Sequence, residues 1–248
     1  MSTRRGASPD SLDRLHEAAA QLAEARHPDA AGFLGRHASA GAIELRVFSP
    51  RTRSLRIVSG PELCRIGASD LFVWRGPETA VPERYVLSWI GDDGVAHSRH
   101  DPYAFPAQVS GFERQVFAEG HHWHAYRFLG ANPRLVDGIE GTLFATWAPG
   151  AQRVSVVGDF NEWDGRRLVM RHRPGGIWEL FVPGIGAGAH YKFEVAGRDG
   201  DLRIKADPYG RKFQSPPGTA SLVQGPPGHA WQDAAWLNAR GSSGFADA

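Results

Sequence analysis

The sequence repeats one pattern of alternating apolar residues, which reads ELRVFSPRTRSLRIV at residues 44–58 and LFATWAPGAQRVSVV at residues 143–157. In both copies a run with a period of two leads through a proline turn into a second such run. Short runs of this kind, bounded by Gly, Pro, Asp or Ser, are typical of antiparallel β-sandwiches. The pattern therefore predicts the same two strands twice.

Later landmarks repeat in the same order, at an offset of 106 residues instead of 99. The second copy thus holds seven extra residues, and they fall around GDFNEWDG at residues 158–165. Ordered repetition of this kind indicates two units of one fold. The later landmarks are YVLSW (85–89) with YKFEV (191–195), DDG (92–94) with RDG (198–200), and DPY at 101–103 and 207–209.

We predict a mainly β protein with two tandem immunoglobulin-like (E-set) β-sandwiches and a short N-terminal helix. Leu12, Leu15, Ala19 and Leu22 would share one face of that helix, which should end at His27-Pro28. The expected segments are a disordered tail (1–10), the helix with the first sandwich (11–105), a docked aromatic-rich connector (106–134), the second sandwich (135–224) and a linker (225–248).

Composition and charge exclude several classes of protein function. The 248 residues carry a formal net charge of +1, which provides no field to attract nucleic acid. No run reaches the ~20 apolar residues of a membrane span, and no apolar stretch of a signal peptide follows the N-terminus. The lone cysteine, Cys64, excludes a disulfide framework and is predicted to be buried. We expect a cytoplasmic protein.

Residues 121–124 (HHWH) suggest a metal site. Neighbouring histidines on an extended segment point in different directions, and no cysteines or spaced carboxylates complete a ligand shell. We therefore expect no metal and no cofactor. The carboxylates are scattered, and none has a recognisable catalytic context, so no catalytic residue is predicted.

The inserted loop offers groups that suit a sugar, which has an apolar C–H face and a rim of hydroxyls. Trp163 provides an aromatic plane, and Asn161 provides both a donor and an acceptor. Lys192, on the Tyr-led strand, could donate from the side. The alternative that Trp163 fills the core remains open, and core positions are predicted for Phe160, Trp147 and Trp178.

The second copy resembles the family 48 carbohydrate-binding module, whose members accompany α-amylase-family enzymes that act on glycogen and starch. The resemblance lies in residues 144–165, WELFVPG (178–184), HYKFEV (190–195) and KADPYG (205–210). Related modules bind sugar with a loop Trp and a strand Lys, which Trp163 and Lys192 match. The second aromatic expected after the Asp-Gly turn is missing at residues 199–202, which implies weak binding.

Residues 101–105 and 116–168, together with WQDAAWL at 231–237, resemble the N-terminal part of bacterial glycogen branching enzymes (1,4-α-glucan branching enzymes). In that family a barrel of ~250 residues carries the catalytic carboxylates, and this sequence stops where the barrel would begin. The resemblance implies partners of two kinds, α-1,4-glucan or glycogen and a catalytic barrel. We expect this chain alone to be catalytically inactive.

Two functions follow as hypotheses. The chain could hold glucan for α-1,6 branch formation by a barrel that is not in this sequence. Alternatively, it could be a free-standing, non-enzymatic glycogen-binding or structural β-sandwich protein.

Overall fold

The computed structural model describes residues 9–39, 41–225 and 232–242. Residues 1–8 of the expected tail, and Trp231 of the WQDAAWL segment, lie outside the described residues. The helices are α1 (Pro9–Ala23), α2 (Ala30–Phe33), α3 (Gly111–Ala118) and α4 (Ala234–Ser242).

The first sandwich consists of two antiparallel sheets. One sheet has the strand order β1-β2-β5-β4, and the other has the order β3-β6-β7. The strands are β1 (Gly35–Ser39), β2 (Ala42–Phe48), β3 (Thr52–Ile57), β4 (Cys64–Arg65), β5 (Leu71–Gly76), β6 (Val86–Gly91) and β7 (Ala96–His100).

The second sandwich repeats this topology. One sheet has the order β8-β9-β12-β11, and the other places β13 between β10 and β14, with β16 and β15 continuing from β13. The expected boundary at residue 135 falls inside β8. The strands are β8 (Gly130–Val136), β9 (Ile139–Trp147), β10 (Ala151–Gly158), β11 (Arg171–Arg173), β12 (Ile177–Pro183), β13 (His190–Gly197), β14 (Leu202–Lys205), β15 (Lys212–Phe213) and β16 (Ser221–Leu222).

The shared topology confirms the predicted tandem immunoglobulin-like sandwiches. The repeat extends to single hydrogen bonds. In the first copy the Tyr85 hydroxyl donates to the buried carboxylate of Asp101, and in the second the Tyr191 hydroxyl donates to Asp207. In each copy the other carboxylate oxygen accepts the backbone N–H two residues further on, at 2.9 and 2.8 Å. The repeated DPY landmark is therefore a buried link between a strand and the turn that follows the hairpin.

Helix α1 covers the first sandwich with a narrower face than predicted. Leu15, Ala19 and Leu22 are buried against that sandwich, whereas Leu12 is exposed. The helix also ends earlier than His27-Pro28, at Ala23, because Ala25 takes a left-handed conformation (φ 56°) that α-helix cannot continue through.

The connector contacts the second sandwich. Helix α3 starts at a capping box of Ser110 and Glu113, and the segment after it buries Phe128. Phe128 packs with Leu143 and Ile177, on β9 and β12. The aromatic residues of the connector thus include one that covers the sheet of the second sandwich.

Burial also differs from the sequence expectation at Cys64 and Trp147, and Phe160 is half-buried against the core of the second sandwich. Cys64 is exposed because alternation along the edge strand β4 turns Leu63 inward and the thiol outward. Trp147 is 53% exposed because it is the last residue of β9, where its indole N–H donates to the carbonyl oxygen of Gly175 at 3.0 Å. Trp178 is buried, as predicted.

Candidate functional site

The loop after β10 is held by a buried amide. Asn161 is 1% exposed, and its side-chain oxygen accepts the backbone N–H of Gly158 at 2.9 Å. Its amide nitrogen donates to the carbonyl oxygens of Val156 (3.0 Å) and Asp164 (3.3 Å). Asn161 therefore closes the loop from the inside, and these bonds occupy the amide that the sequence suggested for a ligand.

Two consecutive residues of this loop, Glu162 and Trp163, have φ values of 59°. Left-handed backbone costs a residue with a side chain roughly 1–2 kcal/mol, so such a pair persists only where surrounding bonds hold it. One of these bonds runs from the backbone N–H of Trp163 to the carbonyl oxygen of Gly158, at 3.0 Å. This left-handed backbone directs the two side chains outward at the tip of the loop.

The base of the loop needs a glycine. A Cβ atom on Gly158 would lie 2.2 Å from the carbonyl oxygen of His190 on β13. Real Cβ atoms do not approach backbone this closely, so a side chain at this position would push the loop away from β13. The first glycine of GDFNEWDG thus brings the loop onto the strand that carries Lys192.

Trp163 lies at the surface rather than in the core, with 37% of the residue exposed. Its indole N–H donates to one carboxylate oxygen of Asp159 at 3.0 Å. The other oxygen of Asp159 is 2.9 Å from the Nδ1 atom of His190. These two contacts fix the orientation of the indole against β13.

Lys192 follows on the same face of β13, because side chains alternate along a strand and His190 is two residues away. Its ammonium group donates to the hydroxyl of Thr219 at 2.6 Å. In the register of the sheet, Lys192 pairs with Val157, just before the loop begins. The loop and the lysine therefore occupy neighbouring positions on one sheet.

The far end of the loop is anchored by a buried arginine. The Arg153 guanidinium donates to the carbonyl oxygen of Gly165 at 3.0 Å and to the carboxylate of Glu194 at 2.7 Å. Asp164 adds a contact within the loop. Burial favours a higher pKa for its carboxyl, but hydrogen bonds and charge from Arg166 outweigh this and hold that pKa below its usual value. The loop is thus fixed at both ends within the second sandwich.

Sequence reasoning named Trp163 and Lys192 as candidates but did not name Asp159, His190 or Thr219, which contact them or their partners. Asp159 is four residues from Trp163 and could have been found from the spacing of two groups in one loop. Thr219 had no signal, because it lies 27 residues from Lys192 in a segment without a motif.

The turn before β14 carries no aromatic side chain. Leu202, the first residue of β14, occupies the position just after it and is exposed.

The histidines at 121–124 lie in the connector, where His122 packs its ring on Phe128, with ring centres 5.1 Å apart. Within residues 9–39, 41–225 and 232–242, no three His, Cys, Asp or Glu side chains are grouped so as to hold a metal ion. In the same ranges, no helix is both long and apolar enough to cross a membrane.

An exposed indole and an ammonium group on neighbouring positions are groups that suit a sugar ring, the first for its apolar C–H face and the second for its hydroxyls. Residues 128–210 match the family described as carbohydrate-binding module 48 (isoamylase N-terminal domain). The sequence of the chain corresponds to the N-terminal part of 1,4-alpha-glucan branching enzymes, which confirms the resemblance drawn from its motifs.

Three relatives illustrate this correspondence. The chain is 46% identical to 1,4-alpha-glucan branching enzyme GlgB of Methylococcus capsulatus over 223 residues, which are 89% of this chain and 30% of that enzyme. It is 43% identical to GlgB of Nitrosococcus oceani, over 90% of this chain and 30% of the enzyme. It is also 43% identical to GlgB of Rubrobacter xylanophilus, over 95% of this chain and 33% of the enzyme. The chain thus spans about a third of the length of these relatives.

Proposed function

We propose that this chain binds α-1,4-glucan through Trp163 and Lys192 of the second sandwich. The observation that carries the proposal is the presentation of Trp163, a partly exposed indole held in place by a strained loop and by Asp159. Single exposed apolar side chains are common on protein surfaces, so the support comes from the fixed orientation of Trp163 and not from its exposure alone.

Each residue has a proposed role. The indole of Trp163 stacks against the C–H face of a glucose unit, and Lys192 donates a hydrogen bond to a hydroxyl at the edge of the ring. Thr219, which already bonds Lys192 at 2.6 Å, offers a hydroxyl beside it. Asn161 acts from behind, by keeping the loop closed.

One stacking platform gives weak binding to a single short chain. Glycogen presents many chain ends at once, so repeated rebinding keeps the protein on the polymer even when each contact is weak. The natural ligand we propose is therefore the branched polymer or its long outer chains rather than a free disaccharide.

We further propose that this binding holds glucan chains for α-1,6 branch formation by a catalytic barrel of the kind found in branching enzymes. The correspondence in sequence with the N-terminal part of those enzymes supports the proposal. Binding at a distance from the chemistry raises the local concentration of the polymer without lowering the barrier of the reaction. An exposed lone thiol, Cys64, agrees with the reducing cytoplasm as its location.

Affinity electrophoresis in a glycogen gel tests the glucan site. We expect the 248-residue chain to be retarded by glycogen and Trp163→Ala to migrate as it does in a gel without polymer. Trp147→Ala is the matched control, since Trp147 is also exposed but lies on the other sheet, and it should remain retarded. Unchanged migration of the wild type, or loss of retardation in both variants, would contradict the proposed site.

A further inference from the structure

The loop that carries Trp163 has a second side, which faces the first sandwich. The carboxylate of Glu162 forms an ion pair with Arg51, in the turn between β2 and β3, and lies 3.6 Å from the guanidinium of Arg167. Arg167 in turn donates to the carbonyl oxygen of Pro50 at 3.1 Å. The proline turn of the first copy therefore contacts the loop of the second copy that carries Trp163.

Glu162 is the residue whose backbone sets the direction of Trp163. Both residues are left-handed, and they are consecutive, so a change in the backbone of Glu162 moves the indole directly. The ends of the loop are anchored within the second sandwich by Asn161 and Arg153. Its tip, in contrast, is tied through Glu162 to a residue of the other sandwich.

We infer that the first sandwich positions the glucan-stacking indole, with Arg51 as a positioning residue that holds Glu162 and, through it, Trp163. Arg51 has no role in the proposed sugar contact itself. This inference rests on the proposed function for its effect on affinity, although its effect on the loop is independent of any glucan. It gives the first sandwich a specific task, because its proline turn limits the conformations of the binding loop.

The expected effect is modest. The side chains of Arg51 and Glu162 are both more than half exposed, and exposed ion pairs are weak. Loss of this pair should therefore weaken glucan binding about two- to fivefold, by letting the loop leave the binding conformation for part of the time. The loss should shrink in concentrated salt, which screens exposed charges.

The test uses the full chain and maltoheptaose as the probe, with the dissociation constant measured by calorimetry. Arg51→Ala and Glu162→Gln should each weaken binding about two- to fivefold. The double variant should be no weaker than Glu162→Gln, because that change already removes the pair with Arg51 together with the contact to Arg167. Arg53→Ala is the matched control: Arg53 is also an exposed arginine of the first sandwich, but it contacts the backbone of Asp92 in its own module.

A second readout needs no ligand. Amide hydrogen exchange of residues 158–165 should be faster in Arg51→Ala than in the wild type and unchanged in Arg53→Ala, while the midpoint of thermal unfolding stays the same. A general loss of structure would instead raise exchange throughout the chain and lower that midpoint, and this result would overturn the inference.

The two proposals can fail separately. If the wild type binds maltoheptaose and Arg51→Ala binds it equally well with unchanged exchange in the loop, the positioning role is refuted and the glucan site stands. If the wild type does not bind glucan but the loop of Arg51→Ala exchanges faster, the proposed function fails while the contact between the sandwiches still orders the loop.

Discussion

Asn161 is buried, yet it decides the shape of a surface loop. Its amide satisfies one backbone N–H and two backbone carbonyl oxygens, all within residues 156–164. Unsatisfied backbone groups in a buried position each cost about 1–3 kcal/mol, so a residue without the amide cannot keep the same loop at the same cost.

We predict that Asn161→Ala lowers the free energy of unfolding by about 2–3 kcal/mol and also abolishes retardation in a glycogen gel. Stability would be measured by urea denaturation. Asn132→Ala is the control, since Asn132 is another buried asparagine but lies on β8, in the other sheet. Its amide donates to the carbonyl oxygen of Leu129, and its side-chain oxygen accepts from Arg211. That variant should lose stability and keep its retardation. Retention of glycogen binding by Asn161→Ala would contradict the role assigned to the amide.

At the scale of elements, the hairpin of β13 and β14 carries the lysine of the proposed site, but its turn and β14 carry no aromatic residue. Leu202 pairs with Ala196 at the end of this hairpin, and 59% of it is exposed. An exposed leucine can be replaced by a larger ring without disturbing the core, so the hairpin can accept the missing platform.

We predict that Leu202→Trp tightens maltoheptaose binding about two- to tenfold, which corresponds to one added aromatic contact. Calorimetry would measure the change. Leu135→Trp is the control, because Leu135 is equally exposed but lies on β8, in the other sheet, and its replacement should leave the affinity unchanged. Equal affinities of Leu202→Trp and the wild type would place the glucan away from this hairpin.

Sequence reasoning worked best for the strands and turns of the two sandwiches. The offsets of 99 and 106 residues predicted both sandwiches, because strand periodicity and turn residues are local properties. Trp163 and Lys192 were named as candidates for the same reason, since each lies in a recognisable motif. The contacts that organise the site join distant segments, such as Arg51 with Glu162 and Lys192 with Thr219, and no local pattern encodes them. The exposure of Trp147 likewise depends on where its strand ends relative to the rest of the fold.

At the scale of the whole molecule, the two sandwiches share a seam of hydrogen bonds. The Tyr103 hydroxyl donates to the carbonyl oxygen of Val169 at 3.1 Å and accepts its N–H at 3.0 Å. The Arg171 guanidinium donates to the carbonyl oxygens of Phe105 at 2.7 Å and Tyr103 at 3.1 Å. These bonds hold the last residues of the first sandwich against an edge strand of the second. They also keep Arg51 close to the loop that carries Trp163.

Global stability should depend on pH through the buried aspartates. Burial raises the pKa of Asp207 above its ordinary 3.8, and hydrogen bonds from Tyr191 and Tyr209 offset this only in part. The folded state thus holds the proton to a higher pH than the unfolded state does. The contribution of this group to stability is full below pH 3.8 and is lost as the pH rises through the raised pKa.

We predict that the difference in free energy of unfolding between the wild type and Asp207→Asn is largest below pH 3.8 and shrinks as the pH rises to neutral. Asp101, the equivalent residue of the first copy, also has a raised pKa but is present in both proteins, so its contribution cancels in the difference. Urea denaturation over this pH range measures the effect. A difference that stays constant with pH would show that Asp207 does not titrate in this way.

The two Tyr–Asp links have a consequence for how such proteins can change. Both copies keep this link at the turn after the hairpin, whereas only the second copy carries the inserted loop, which follows its third strand, β10. The framework is thus independent of the segment that is proposed to bind the ligand. The residues of the inserted loop, 158–165, can therefore change without loss of the sandwich framework. After duplication of the domain, one copy can acquire a binding loop while the other keeps a structural role.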